Sequence, residues 1–191
     1  MEERDETLWY CSLEGDGEAF GLLFNRHRER VFRHACRLTQ SREDAEDVVG
    51  SAFLELWRRR TQVRLVSGSM LPWLLVTTTN LCRNSRRGTR RYRQMLERLP
   101  REGKAPDVAE AALAAGVDTR LGTEIRALKK TDAQLIALVA LEGYSINEAA
   151  ELLELSQAST RARLHRARAR LRQRLGDQVL REDPDDQGDN K

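Results

Sequence analysis

The sequence predicts an all-α fold of two small helical domains joined by a flexible linker, the second domain containing a helix-turn-helix. Apolar residues recur at helical spacing on both sides of residues 100–119, and helix-start signals precede the strongest of these runs. No segment alternates apolar and polar side chains as a half-buried strand would. Composition agrees: of 191 residues 40% are hydrophobic, 5% aromatic and 33% charged, which favours small solvated domains over one large enzyme core. The longest apolar run, Leu135 to Leu141, has seven residues, far short of the ~18 that span a bilayer. The N-terminal stretch MEERDETLWY carries acids where a secretory signal would carry basic residues. A cytoplasmic protein with no membrane partner is expected. Cys11, Cys36 and Cys82 form no CxxC pair and are expected to be reduced.

Residues 1–16 form an N-terminal segment with no element assigned, and residues 17–99 form the first domain. There, Phe20, Leu23, Phe24, His27, Val31, Ala35 and Leu38 mark one helix face. Ser41 with Asp44 reads as the start of the next helix. Its inward stripe is Ala45, Val48, Val49, Ala52, Phe53, Leu56 and Trp57, and Asp44, Glu46, Asp47 and Glu55 make the outward face acidic. Val63 to Met70 breaks the periodicity around Ser-Gly-Ser and reads as a loop. Pro72 then fits the first turn of a helix running to about Leu99.

Pro100, Gly103 and Pro106 punctuate a linker over 100–119. The second domain, 120–176, begins with a helix at Arg120 to Lys130. Asp132 is expected to cap a second helix that ends at Glu142 before Gly143. Ser145 to Glu148 (SINE) is a capping box opening a short helix. A turn at Glu154-Leu155-Ser156 leads to a last helix, Gln157 to Leu175, with the inward stripe Thr160, Leu164, Ala167, Leu171 and Leu175. Residues 177–191 are expected to be a disordered acidic tail.

The formal charge of +3 hides an uneven distribution. Segments 83–101 and 161–174 each carry +7, the tail 182–191 carries −4, and the remainder carries −7. A short helix, a tight turn and a basic helix make the plan whose second helix enters the DNA major groove. Side chains at the start of that helix reach base edges and later arginines clamp phosphates. Gln157, Ser159, Thr160, Arg161, Arg163 and Arg166 are therefore the DNA-binding candidates. A solvated arginine-rich arm is the other reading of this helix, opposed by the absence of acids to balance seven arginines.

The run EGYSINEAAELLELSQASTRARLHRARARLR resembles region 4 of bacterial sigma factors. AFGLLFNRHRERVF with DAEDVVGSAFLELWRR resembles region 2 of the extracytoplasmic-function group, and PWLLVTTTNLCRNSRR is similar to the segment after that group's promoter-reading loop. The likeness covers roughly residues 17–175, in the family's order. It implies a polymerase specificity subunit that binds core RNA polymerase and promoter DNA, reading the −10 element with the first domain and the −35 element with the second. It implies polymerase binding by Asp44, Glu46, Asp47, Leu56 and Trp57. It also implies −10 contacts by Ser69, Trp73, Asn80, Arg83, Arg86 and Arg87, where an unstacked base needs a pocket, polar groups for its edge and arginines for the strand. An anti-sigma factor is a further partner implied. The family's pattern is broken at three places: Glu154 stands where the turn has glycine, which costs about 1 kcal/mol if the position is left-handed; Thr160 replaces an apolar residue; and Gly50 interrupts the docking helix.

No enzyme site, cofactor or metal site is expected. His27 and His34 lie seven apart, with no carboxylate or cysteine at ligand spacing, and no phosphate loop or nucleophile triad is present. A stand-alone helix-turn-helix regulator of duplex operators is the alternative function. It leaves the acidic helix and the loop before Trp73 without a role.

Overall fold

The computed structural model describes residues 3–96 and 119–176, with side chains over 3–84 and 120–176. Among them every regular element is helical, and an isolated bridge joins Val66 to Ser69. The helices are α1 (Asp5–Leu13), α2 (Gly17–Leu38), α3 (Arg42–Arg58), α4 (Leu71–Leu96), α5 (Thr119–Ala127), α6 (Lys130–Leu135), α7 (Ile146–Leu152) and α8 (Gln157–Leu175). A 3-10 turn covers Arg60–Gln62, and α6 runs on through a wider π-helical stretch, Ile136–Leu141. The expected linker and acidic tail lie outside the described residues, apart from Thr119.

Side-chain caps open α2, α3, α7 and α8. The Asp16 carboxylate accepts from the amides of Glu18 and Ala19 at 2.8 and 3.0 Å, and the Ser41 hydroxyl accepts from Asp44 N–H at 3.0 Å. The capping box is complete: Glu148 N–H reaches Ser145 Oγ at 3.2 Å, and Ser145 N–H reaches Glu148 Oε2 at 2.9 Å. Ser156 opens α8 by accepting from Ser159 N–H. Glu154 adopts a left-handed φ of 54°, so the turn keeps glycine geometry without glycine, at a cost of about 1 kcal/mol. One expectation is corrected. Asp132 does not cap α6, because that helix begins a turn earlier from Lys129, and Asp132 instead faces Arg163 Nη1 at 3.3 Å.

The inward stripes of α2 and α3 pack with Leu71, Leu74 and Leu75 of α4, and α1 closes the group with buried Leu8 and Trp9. In the second half the buried residues of α8, Thr160, Leu164, Ala167 and Leu171, seat against α5, α6 and α7. The halves share one continuous core, in which α5 lies on α2 and α4 on α6. Gly122 makes the approach of α5 to α2 possible: a methyl there would meet the Arg37 carbonyl oxygen well inside van der Waals contact.

All three thiols are free, and burial pushes the Cys82 thiol up to about 12. The thiolate is the reactive form, so a maleimide at neutral pH is expected to modify half-buried Cys11 and Cys36 in the native chain and Cys82 only after unfolding. Mass mapping of the labelled peptides checks this order, and early labelling of Cys82 would contradict its burial.

Candidate functional site

Three surfaces carry the residues expected to bind partners. On α3, Asp44, Glu46 and Asp47 are exposed, and Glu46 pairs with Arg42 at 2.8 Å. Trp57 is half-buried, edge-on to Phe20 with centroids 4.9 Å apart, and Arg60 stacks 4.2 Å over its ring. Leu56 departs from expectation. It is fully buried in the core, and its neighbour Leu54, 48% exposed, presents the apolar side chain on the outer face. Gly50 is exposed, with open space where a side chain would project.

On α8, Gln157, Arg161 and Arg166 are exposed, and Ser159 is half-buried. Thr160 is a second correction: it is fully buried and its hydroxyl donates to the Ser156 carbonyl at 3.0 Å, so it packs rather than faces outward. Arg163, half-buried against Asp132, braces α8 on α6. Gln157, Arg161 and His165 recur every four residues on one exposed face of the basic helix.

The third surface joins the loop before α4 to that helix. Trp73 is half-buried and packs on the core. Asn80 Oδ1 accepts from Gln134 Nε2 at 3.0 Å, and Arg83 Nη1 donates to the carbonyls of Arg126, at 2.9 Å, and Leu128. At the loop, Ser67 Oγ donates to Glu148 Oε1 at 2.7 Å, and Arg64 pairs with Glu154 at 3.1 Å. Asn80, Arg83 and the loop tip are therefore engaged by the second half of the chain, while Asp44, Glu46 and Asp47 of α3 and Arg161, Arg166 and Arg170 of α8 are exposed to solvent. The side chains of Arg86 and Arg87 lie outside the described residues.

What holds the halves in this arrangement is Glu142, whose side chain is only 5% exposed. Its carboxylate accepts from Arg30 Nε at 3.0 Å, Arg37 Nη1 at 2.9 Å and His34 Nδ1 at 3.0 Å. The Thr79 hydroxyl donates to the Leu75 carbonyl at 2.8 Å and lies 3.0 Å from His34 Nε2, so both ring nitrogens have a partner. Burial alone would raise the Glu142 carboxyl, but the His34 hydrogen bond and charge, with Arg30 and Arg37, outweigh it and hold it below the usual carboxylate range. Sequence reasoning passed over Glu142. The available signal was an acid at a helix C-terminus, where the helix dipole disfavours negative charge unless cations gather around it.

Asp5 on α1 was also missed, since no helix was expected there. It accepts from Arg26 Nη1 and His27 Nε2, each at 2.7 Å, and from Ser69 Oγ at 2.5 Å. Burial raises this carboxyl, while the hydrogen bonds from Ser69 and Arg26 and the His27 charge outweigh it and lower it. His27 is lowered by burial, against the opposing charge of Asp5. Both histidines are thus committed to carboxylates within the helical packing. No group of His, Cys, Asp and Glu among the described residues gathers as a metal site would, and no helix there is long and apolar enough to cross a membrane.

Residues 23–92 match the family profile described as Sigma-70 region 2, and residues 118–171 match Sigma-70, region 4. The chain is 30% identical over 177 residues to the ECF RNA polymerase sigma factor SigM of Mycobacterium tuberculosis, covering 92% of this chain and 86% of that protein. It is 31% identical to the ECF RNA polymerase sigma factor SigE of Mycolicibacterium smegmatis, covering 92% and 70% of the two chains. Among solved structures it is similar to CnrH in complex with the cytosolic domain of CnrY, with a TM-score of 0.58 at 26% identity over 88% of this chain and 95% of that one. The fold also matches the sigma factor RpoE bound to the anti-sigma factor NepR from Bartonella quintana, with a TM-score of 0.54 at 20% identity over 84% and 98%.

Proposed function

This chain belongs to the sigma-70 family, in its ECF group, and from that premise we propose how its surfaces divide the work of a factor that binds core RNA polymerase and directs promoter-specific initiation. The observation that carries the division is the pairing, on one chain, of an exposed acidic helix in the region 2 block with an exposed arginine-rich helix in the region 4 block. Residues 17–99 and 120–176 are the two working domains. Asp44, Glu46, Asp47 and Leu54 on α3, with Trp57 at their edge, dock on polymerase, since an acidic, partly apolar face suits a basic partner. The loop 66–70 with Asn80, Arg83 and the arginines that follow takes the −10 strand. Gln157 and Arg161 read the −35 duplex in the major groove, and Arg166 and Arg170 hold phosphates.

Docking comes first in this scheme. Asp44, Glu46 and Asp47 on α3 and Arg161, Arg166 and Arg170 on α8 are exposed in the closed molecule, whereas Asn80 and Arg83 must leave Gln134 and the carbonyls of Arg126 and Leu128 before they meet DNA. The chain works in the cytoplasm beside polymerase and supplies no catalysis of its own. An anti-sigma protein is a partner, by analogy with the complexes of CnrH and RpoE. The stand-alone operator-binding reading gives α3 and the loop nothing to do.

The test is reconstitution with core polymerase followed by transcript-start mapping. Transcripts from defined starts, absent with core alone, are the expected result, and a pattern identical to core alone would refute the function. Within that assay Arg161→Ala is expected to cost about 1–3 kcal/mol at one −35 position and to relax base preference there. Arg166→Ala is expected to weaken all −35 sequences alike and flatten the salt dependence. Equal behaviour of the two variants would contradict the split between base reading and phosphate holding.

A further inference from the structure

The loop 66–70 has a defined shape. Val66 and Ser69 exchange both backbone hydrogen bonds, at 3.0 and 3.1 Å, and Ser67 and Gly68 between them take φ of 51° and 74°. Two left-handed residues in a two-residue connection make the tight turn that asparagine-glycine pairs usually occupy. Ser67 carries a side chain in that conformation at a cost of about 1 kcal/mol, so the turn needs a partner elsewhere to keep it. That partner is on α1. The Ser69 hydroxyl accepts from Leu71 N–H at 3.2 Å and gives its one proton to Asp5 Oδ2. Arg26 and His27 anchor the same carboxylate to α2, and the Asp5 side chain is 13% exposed. Ser69 therefore has no proton left for a base edge. Ser67, exposed at the tip, has its hydroxyl directed outward, where it already donates to an acceptor from the other half of the chain, Glu148.

We propose that Asp5 is a positioning residue for −10 recognition: acting through Ser69, it sets the shape of the loop so that Ser67, and not Ser69, meets the unstacked base. The inference rests on the assignment of the loop to the −10 element made above. Asp5 lies on α1, outside the matched region 2 block. A helix beyond the promoter-reading motifs thus helps to decide which promoters are read.

The experiment uses the full chain with core polymerase on a promoter pool randomised across the −10 element, with transcripts sequenced. Asp5→Ala and Ser69→Ala are each expected to flatten base preference at the same −10 position by about tenfold, the weight of one hydrogen bond to a charged group. The double variant should lose no more than either single, because both cut one link. Asp5→Asn, which can still accept from Ser69, should keep part of the preference, and the −35 preference should not move in any of them. Arg26→Ala, which removes one of the two groups anchoring the carboxylate to α2, should flatten the same −10 position less than Asp5→Ala does, because His27 still holds Asp5. A uniform drop at all promoters, an additive double variant, or Arg26→Ala flattening a different position from Asp5→Ala would each overturn the proposal, as would Ser67→Ala changing the profile while Asp5→Ala does not. An unchanged profile in Ser67→Ala would overturn the loop's assignment itself, and the proposal with it. Melting curves of each variant separate loss of fold from loss of reading.

Discussion

In the Glu142→Ala chain, the radius of gyration measured by small-angle scattering is expected to rise, and amide exchange over residues 80–84 of α4 to accelerate. The carboxylate answers three cationic or donor groups from α2, and its removal leaves them side by side on α2 with no acceptor from the other half. Breaking a buried ion pair from one side costs about 3–5 kcal/mol. Arg30 and Arg37 keep 41% and 45% exposure, so water recovers part of that, and roughly 2–4 kcal/mol remains against the closed arrangement. That range changes the ratio of closed to open molecules by a factor of about thirty or more. The free variant should accordingly bind a single-stranded −10 oligonucleotide more tightly than the native chain, because Asn80 and Arg83 are uncovered. Gly122→Ala tests the same boundary by a different force, since its methyl collides with the backbone of α2. Unchanged scattering, exchange and oligonucleotide affinity in both variants would mean that this boundary does not restrain the molecule.

Leu56→Ala and Leu54→Ala are expected to separate stability from polymerase binding. Leu56 is fully enclosed, and deleting a buried leucine to alanine costs about 2–5 kcal/mol. For a chain of this size each kcal/mol lowers the melting temperature by roughly 2–4 °C, so the loss is easily measured by calorimetry. Leu54 is half exposed, and its truncation should leave the melting temperature nearly unchanged while weakening polymerase binding by about tenfold, as an apolar contact inside an acidic docking face would. Titration of core polymerase with each folded variant checks the pair. Full affinity in Leu54→Ala would remove this residue from the docking surface.

Those leucines also show how the sequence was to be read. Leu56 falls on the stripe that begins at Ala45, and periodicity alone places it inside; only the family resemblance carried it to the docking face. Thr160 repeats the case on α8, where the inward stripe placed it correctly and the list of DNA contacts did not. In both cases the helical period gave the direction of the side chain, because the 3.6-residue repeat governs geometry directly. α1 escaped notice for a related reason. Its buried Leu8, Trp9 and Ser12 are few and closely spaced in a nine-residue helix, too short a stretch to display a period.

Helix class, the caps at Ser41 and Ser145 and the basic face of α8 follow from residues within a few positions of one another. Such local interactions are set by the chain's own spacing and capping chemistry, so they are legible without a fold. The partners of Glu142, Asp5, Asn80 and Arg83 are not. Glu142 meets Arg30 across 112 residues and Asp5 meets Ser69 across 64, and nothing in the local pattern of either acid names its cations or donors. Packing of α1 within the first half decided the contacts of Asp5; packing of one half on the other decided those of Glu142, Asn80 and Arg83, and with them which promoter-reading groups are covered in the closed molecule.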